Sequence, residues 1–165
     1  MALSVIRHAI AEQRDAARWP DDAERPLTDR GRKRFRAVAA VLGRVAPDVR
    51  VLLSSGFARA WETAEIVRDV AGWPAPRRAE ALELGSCEEM CAAIAAHDGA
   101  PAVAIVGHEP SLSELVSYLL TGDEEAVELD FKKGAAVFLN LPGRPAAGDA
   151  MLTWILTPGL ARSLQ

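Results

Sequence analysis

An α/β fold in three layers, with a mostly parallel central sheet and a C-terminal hairpin, is what this 165-residue sequence predicts. Two observations carry that reading. Three short apolar runs, Leu3 to Ile6, Val49 to Leu53 and Ala102 to Val106, lack the polar alternation of a half-wet strand, so each reads as a strand covered on both faces. The tail then changes character. Ala135 to Leu141 and Met151 to Thr157 read as two strands, and the Pro- and Gly-rich stretch from Pro142 to Gly148 between them reads as the loop of a hairpin.

Between these strands the elements follow in order. Ile10 to Leu27 carries Pro20, Pro26 and scattered charges without any period, and reads as a long loop leaving the first strand. Long loops in compact domains often serve function, so Arg14, Arg18 and Arg25 could reach a substrate from it. Thr28 is placed to cap an amphipathic helix through Phe35, Val38, Ala39, Val41 and Leu42, with Pro47 just beyond its end. A second helix is expected from about Ala58 to Ala71, stopped by Gly72 and Pro74. Arg77 to Leu84 reads as a short extended segment before a helix from about Cys87 to Ala96. Pro110 suits the start of a last helix, which Gly122 ends and which turns Val116, Leu119 and Leu120 to the core.

Composition narrows the function. Half of the residues are apolar, enough for one domain over residues 1–165, with a monomer the simplest expectation. The net charge of −4 and the lack of a basic stripe interleaved with aromatics argue against nucleic acid. No run approaches the roughly 20 apolar residues of a membrane helix, and Met1 to Ser4 lacks the charge of a signal peptide, so a cytoplasmic protein is expected. Cys87 and Cys91, four apart, read as small buried residues, with a redox pair or half a metal site as the alternative.

Chemistry concentrates where the strands end. Arg7 and His8 close the first strand; Ser54, Ser55 and Gly56 follow the second and lead to Arg59 in the first turn of a helix; Gly107 and His108 follow the third. The carboxyl edge of an open α/β sheet is where such folds bind ligands. A neutral imidazole can act as a nucleophile, and a guanidinium fork suits a phosphate. Arg59 would also lie near free backbone amides that favour an anion.

Arg7-His8, Arg25-Pro26-Leu27-Thr28-Asp29-Arg30-Gly31, the Ser54 to Ala64 run with Arg59-Ala60 and Glu62-Thr63-Ala64, and Gly107-His108 together resemble the histidine phosphatase superfamily, most closely its short SixA-type phosphohistidine phosphatases. Nearly the whole chain is covered by the likeness. One departure is Ala9, where the family's first motif, Arg-His-Gly, has glycine; it bears on how closely a phosphate oxygen approaches that peptide.

The resemblance implies the phosphoglycerate mutase-like fold, and phosphoryl transfer to His8 followed by hydrolysis of the phosphohistidine. It makes Arg7 and Arg59 clamps on the phosphate oxygens, His108 a further donor to them, and Glu83 in Leu82-Glu83-Leu84 the general acid, with Glu80 and Glu88 as rivals. It implies no cofactor and no metal. The clamping charges would hold His8 neutral near pH 7. Little chain separates Arg59 from His108 to roof the pocket, which favours phosphohistidine on another protein as substrate. A small phosphorylated metabolite on the same site, or a phosphate-binding module without catalysis, are the alternatives.

Overall fold

The computed structural model describes residues 1–164. Six strands form one sheet: β1 (Ala2–Arg7), β2 (Val49–Ser54), β3 (Arg77–Arg78), β4 (Ala102–Gly107), β5 (Ala136–Asn140) and β6 (Met151–Leu156), in the order β3-β2-β4-β1-β5-β6. The first four are mutually parallel, while β5 pairs antiparallel with β1 and β6 antiparallel with β5, so the predicted hairpin closes one side. The helices are α1 (Asp29–Val45), α2 (Ala58–Ala71), α3 (Ala81–Leu84), α4 (Cys87–Ala95), α5 (Ser111–Thr121) and α6 (Pro158–Ser163). None is long and apolar enough to cross a membrane.

Strand side chains alternate between two cores, one on each face of the sheet. Ile6, Ala104, Val106 and Ala136 pack with Phe35, Val38 and Leu42 of α1 and with α2, whereas Val5, Val103, Ile105 and Val137 pack with Met90 and Ile94 of α4 and Leu115 and Leu119 of α5. Burying a side chain of this size contributes about 2 kcal/mol. In β2 the alternation slips: Val49 and Leu52 serve one core and Val51 and Leu53 the other, because a register shift between Val49 and Val51 leaves Arg50 in solvent. The shift restores phase before Ser54, so the end of β2 meets β4 squarely.

Thr28 caps α1 as expected, its hydroxyl oxygen accepting from Gly31 N–H at 2.8 Å. Gly31 is required for packing, because a Cβ there would meet the carbonyl oxygen of Ile10 at 2.0 Å. Leu120, expected in the core, is only partly buried beside it. Two expectations change. The extended segment from Arg77 to Leu84 is a two-residue strand, paired with Leu53 and Ser54, followed by the helical turn α3. The loop from Ile10 to Leu27 is not structureless: Ala11 bridges Leu27, and Asp22–Glu24 form a 3-10 turn. The sequence reading also lacked α6, which Thr157 caps.

Candidate active site

Inserting β4 between β1 and β2 opens a crevice at the carboxyl ends of these three strands. The residues just past them stay in register: His8 N–H donates to Gly107 O and Ser55 N–H to Val106 O, each at 3.0 Å. His8 and His108 therefore leave neighbouring strands side by side, ring centroids 5.3 Å apart. Phe57 lies against His108 at 4.8 Å, and the Arg59 guanidinium sits 5.1 Å above the Phe57 ring.

The protonation of His8 follows from its one hydrogen bond. Its Nδ1 lies 2.7 Å from the carbonyl oxygen of Ala9, which can only accept, so Nδ1 carries the hydrogen and Nε2 keeps its lone pair. Burial lowers the His8 pKa to about 3, with His108, Arg59 and Arg7 adding to it against the bond to Ala9. His108 is lowered to about 4, by burial and then by Arg59, while Glu83 and Asp22 oppose. Both rings are neutral at pH 7. Since an unfolded histidine takes up its proton near pH 6.5, the unfolded chain gains protons on acidification before the folded one does. Stability is thus complete above about pH 7 and falls from pH 6.5 towards pH 4. Melting temperature followed over that range should fall less for His8→Asn than for the wild type.

Two arginines converge on these rings, each anchored at the end of its fork. Arg7 Nη1 donates to Phe131 O at 2.6 Å; Arg59 donates through Nη1 to Asp22 O at 2.8 Å, and its Nη2 lies 3.2 Å from Asp22 Oδ2. Nε of Arg7, Nε of Arg59 and Nδ1 of His108 are all buried without a partner. Ser55 Oγ accepts from Phe57 N–H at 3.2 Å and lies 2.8 Å from His108 Nε2; with the hydroxyl as the donor of that pair, the hydrogen of His108 sits on Nδ1. Three unsatisfied buried N–H groups beside a free imidazole lone pair suit a tetrahedral oxyanion.

The loop arginines find partners within their own loop. Arg25 donates through Nε to Asp22 Oδ1 at 2.8 Å and through Nη1 to Glu12 O at 2.7 Å, and Arg14 Nε reaches Asp22 Oδ1 at 3.3 Å. Arg18 lies over Trp19 at 5.3 Å. Asp22 is the centre of this cluster, and hydrogen bonding from Arg25, then Arg14, holds its carboxyl far below the usual range. Asp22 and Ser55 had no assigned role in the sequence reading. Ser55 lies inside a quoted motif; Asp22 is one acid among several in a charged loop and gave no signal.

Glu83 reaches the rim of the site as a carboxylate that is already engaged. Its Oε1 accepts from Gly56 N–H and Arg78 Nε, both at 2.8 Å, and Arg78 lowers its pKa, with Gly56 adding. Glu80 and Glu88 are exposed. Glu109, beside His108, behaves in the opposite way: burial raises its pKa, Oε2 accepts from Ser113 Oγ at 2.5 Å, and Oε1 is buried without a partner. Ala9 is 2% exposed, packs into the α1 core, and spends its N–H on Thr63 Oγ1 at 3.0 Å, so neither its methyl nor its amide faces an incoming oxyanion. Cys87 and Cys91 lie in the opposite core, and burial pushes their thiols up to about 12 and about 11, which keeps them unreactive.

Comparison with known proteins places the chain in a family and a fold. Residues 3–90 match the family model of the histidine phosphatase superfamily, branch 1. An uncharacterized protein of Picosynechococcus sp. is 32% identical over 143 residues, 85% of each chain. The structure of the protein histidine phosphatase SixA complexed with tungstate is similar with a TM-score of 0.84, at 25% identity, over 100% of both chains. The α-ribazole phosphatase of Shigella flexneri shares the fold at a TM-score of 0.73 and 18% identity, over 96% of this chain and 97% of the other.

Proposed function

This chain belongs to the histidine phosphatase superfamily, and we propose that it removes the phosphoryl group from phosphohistidine carried by another protein, through a covalent intermediate on His8. The observation that carries the reading is the state of Glu83: the carboxylate in the acid's expected place is ionised and bound to Arg78 and Gly56. An alcohol leaving as alkoxide needs a placed acid, whereas the imidazole of a phosphohistidine leaves as a neutral ring after taking one proton, with less help.

In the first step His8 Nε2 attacks phosphorus, the phosphorus–nitrogen bond of the substrate breaks, and the leaving ring takes up a proton from solvent. Arg7, Arg59 and His108 donate to the equatorial oxygens as charge develops on them. Water then attacks phosphorus, the phosphorus–Nε2 bond breaks and returns its lone pair to the ring, and phosphate departs with the water's protons shared between it and solvent, while Nδ1–H stays on the Ala9 carbonyl throughout. Similarity to a SixA structure complexed with tungstate, itself an oxyanion, supports a phosphate-handling role.

Glu109 favours a second reading, hydrolysis of a small phosphate ester, since its carboxyl is pushed towards the protonated form beside His108. One panel separates the two. With a phosphohistidine-bearing phosphotransfer protein and with an aryl phosphate, phosphate release by the wild type should favour the protein by at least about tenfold in kcat/KM. Glu83→Gln should lower both rates to a similar, modest extent, by less than about tenfold, because it loosens the Gly56 turn rather than removing an acid. Loss of ester turnover alone in Glu109→Gln, with the ester the better substrate, would establish the second reading instead.

A further inference from the structure

A cleft of about 690 Å³ opens beside the site on the α1 and α6 side, and Arg7 and Ala9 belong to its wall. Its size is that of a ligand pocket, yet His8, His108 and Arg59 do not line it. The remaining wall mixes uncharged residues, Ile10, Phe35 and Pro158 among them, with a set of cations, Arg34 from α1, Lys132 and Lys133 from the segment before β5, and Arg162 from α6, and Asp130 is its one carboxylate. Asp130 is held by Lys132 at 2.5 Å. Arg34, Lys133 and Arg162 pair with no carboxylate among the described residues. On a chain of net charge −4, that concentration of unpaired cations in a concave surface is a local departure.

The cationic segment is fixed to the nucleophile strand at two points. Phe131 O accepts from Arg7, and Gly134 N–H donates to the carbonyls of Arg7 and His8 at 3.1 and 3.0 Å. Gly134 has φ +77, the left-handed region, which lets the backbone turn back onto β1 directly after the two lysines. A molecule phosphorylated at the His8 position therefore has this cleft as its neighbour. We infer that the cleft binds a second anionic group of the substrate, a phosphate or a carboxylate, while its phosphoryl group sits between His8 and the arginines. The inference rests on the phosphatase reading and extends it to a substrate class, since the second anion can lie on acidic residues flanking a phosphohistidine or on a metabolite with two anionic groups.

The test pairs substrates that differ in that group alone. One pair is a phosphohistidine peptide flanked by glutamates and the same peptide flanked by glutamines; the other is a sugar bisphosphate and the matching monophosphate. The wild type should prefer the doubly anionic member of one pair roughly tenfold in kcat/KM, through KM, with the preference shrinking as salt is raised. The triple variant Arg34→Ser, Lys133→Ser, Arg162→Ser should bring the two members of that pair together. The pair that responds identifies the source of the anion. No preference in either pair, or a preference that survives the triple variant, overturns the inference. If neither pair is turned over, the phosphatase reading has failed, and the cleft is judged by itself through amide NMR with tripolyphosphate. Shifts at Lys132 to Gly134 in the wild type and not in the variant would then support an anion site there, and their absence would overturn it.

Discussion

Replacing His8 by alanine is expected to lower kcat by about four orders of magnitude or more on every phosphorylated substrate, the scale seen when a covalent nucleophile is removed. Nothing else in the crevice can take its place: His108 Nε2 is committed to Ser55, and both cysteines lie in the far core with raised pKa values. The fold should survive, because His8 spends its side chain on one local hydrogen bond. Rapid quenching of the wild type with labelled substrate should find phosphate on the imidazole, and on Nε2 alone, since the Ala9 carbonyl keeps the hydrogen on Nδ1. Residual turnover within tenfold of the wild type, or label on Nδ1, would remove His8 Nε2 from the role.

The second large effect belongs to Arg59. It is 6% exposed, its Nε has no partner, and its charge bears on both histidines. Arg59→Ala should cost about 10²- to 10³-fold in kcat/KM, as loss of an oxyanion donor does, and Arg59→Lys should recover only part of it because an ammonium cannot hold Asp22 and an oxyanion with one planar fork. Asp22→Asn is the companion variant. It keeps the backbone carbonyl that accepts from Arg59 but loses the charge that gathers Arg14, Arg25 and Arg59, so a fall of about tenfold is expected, mostly in KM. Comparable rates for Asp22→Asn and wild type would mean that backbone contacts alone set the position of Arg59.

The sheet was legible because buried parallel strands are continuous apolar runs; its edge β3 was legible as an extended start at Arg77 but not in its two-residue length, because nothing in Arg77-Arg78 resembles such a run. That four chemically useful residues end or follow strands is local information, and the structure brings Arg7, His8, Arg59 and His108 to one crevice. What orders them is long-range and left no local trace. Asp22 holds Arg59 across 37 residues, and Phe131 holds Arg7 across 124. Protonation states were equally out of reach: Glu83 occupies the expected segment, yet its ionisation depends on Arg78 and on the Gly56 amide. Ala9 shows the same limit from the other side. The missing glycine drew attention to a close approach, while the structure turns the alanine into the α1 core.

One hydroxyl joins the two halves of the crevice. Thr63 Oγ1 accepts from Ala9 N–H at 3.0 Å and donates to Arg59 O at 2.7 Å, linking the exit of β1 to the first turn of α2. The spacing of His8 and Arg59 is therefore fixed by a short chain of two bonds, each contributing about 1 kcal/mol, rather than by how sheet and helix settle against each other. Slow loosening of the periphery leaves such a spacing untouched. Heating should accordingly leave catalytic competence per folded molecule constant up to the cooperative transition, so that activity ends as a step with the fold and does not fade ahead of it.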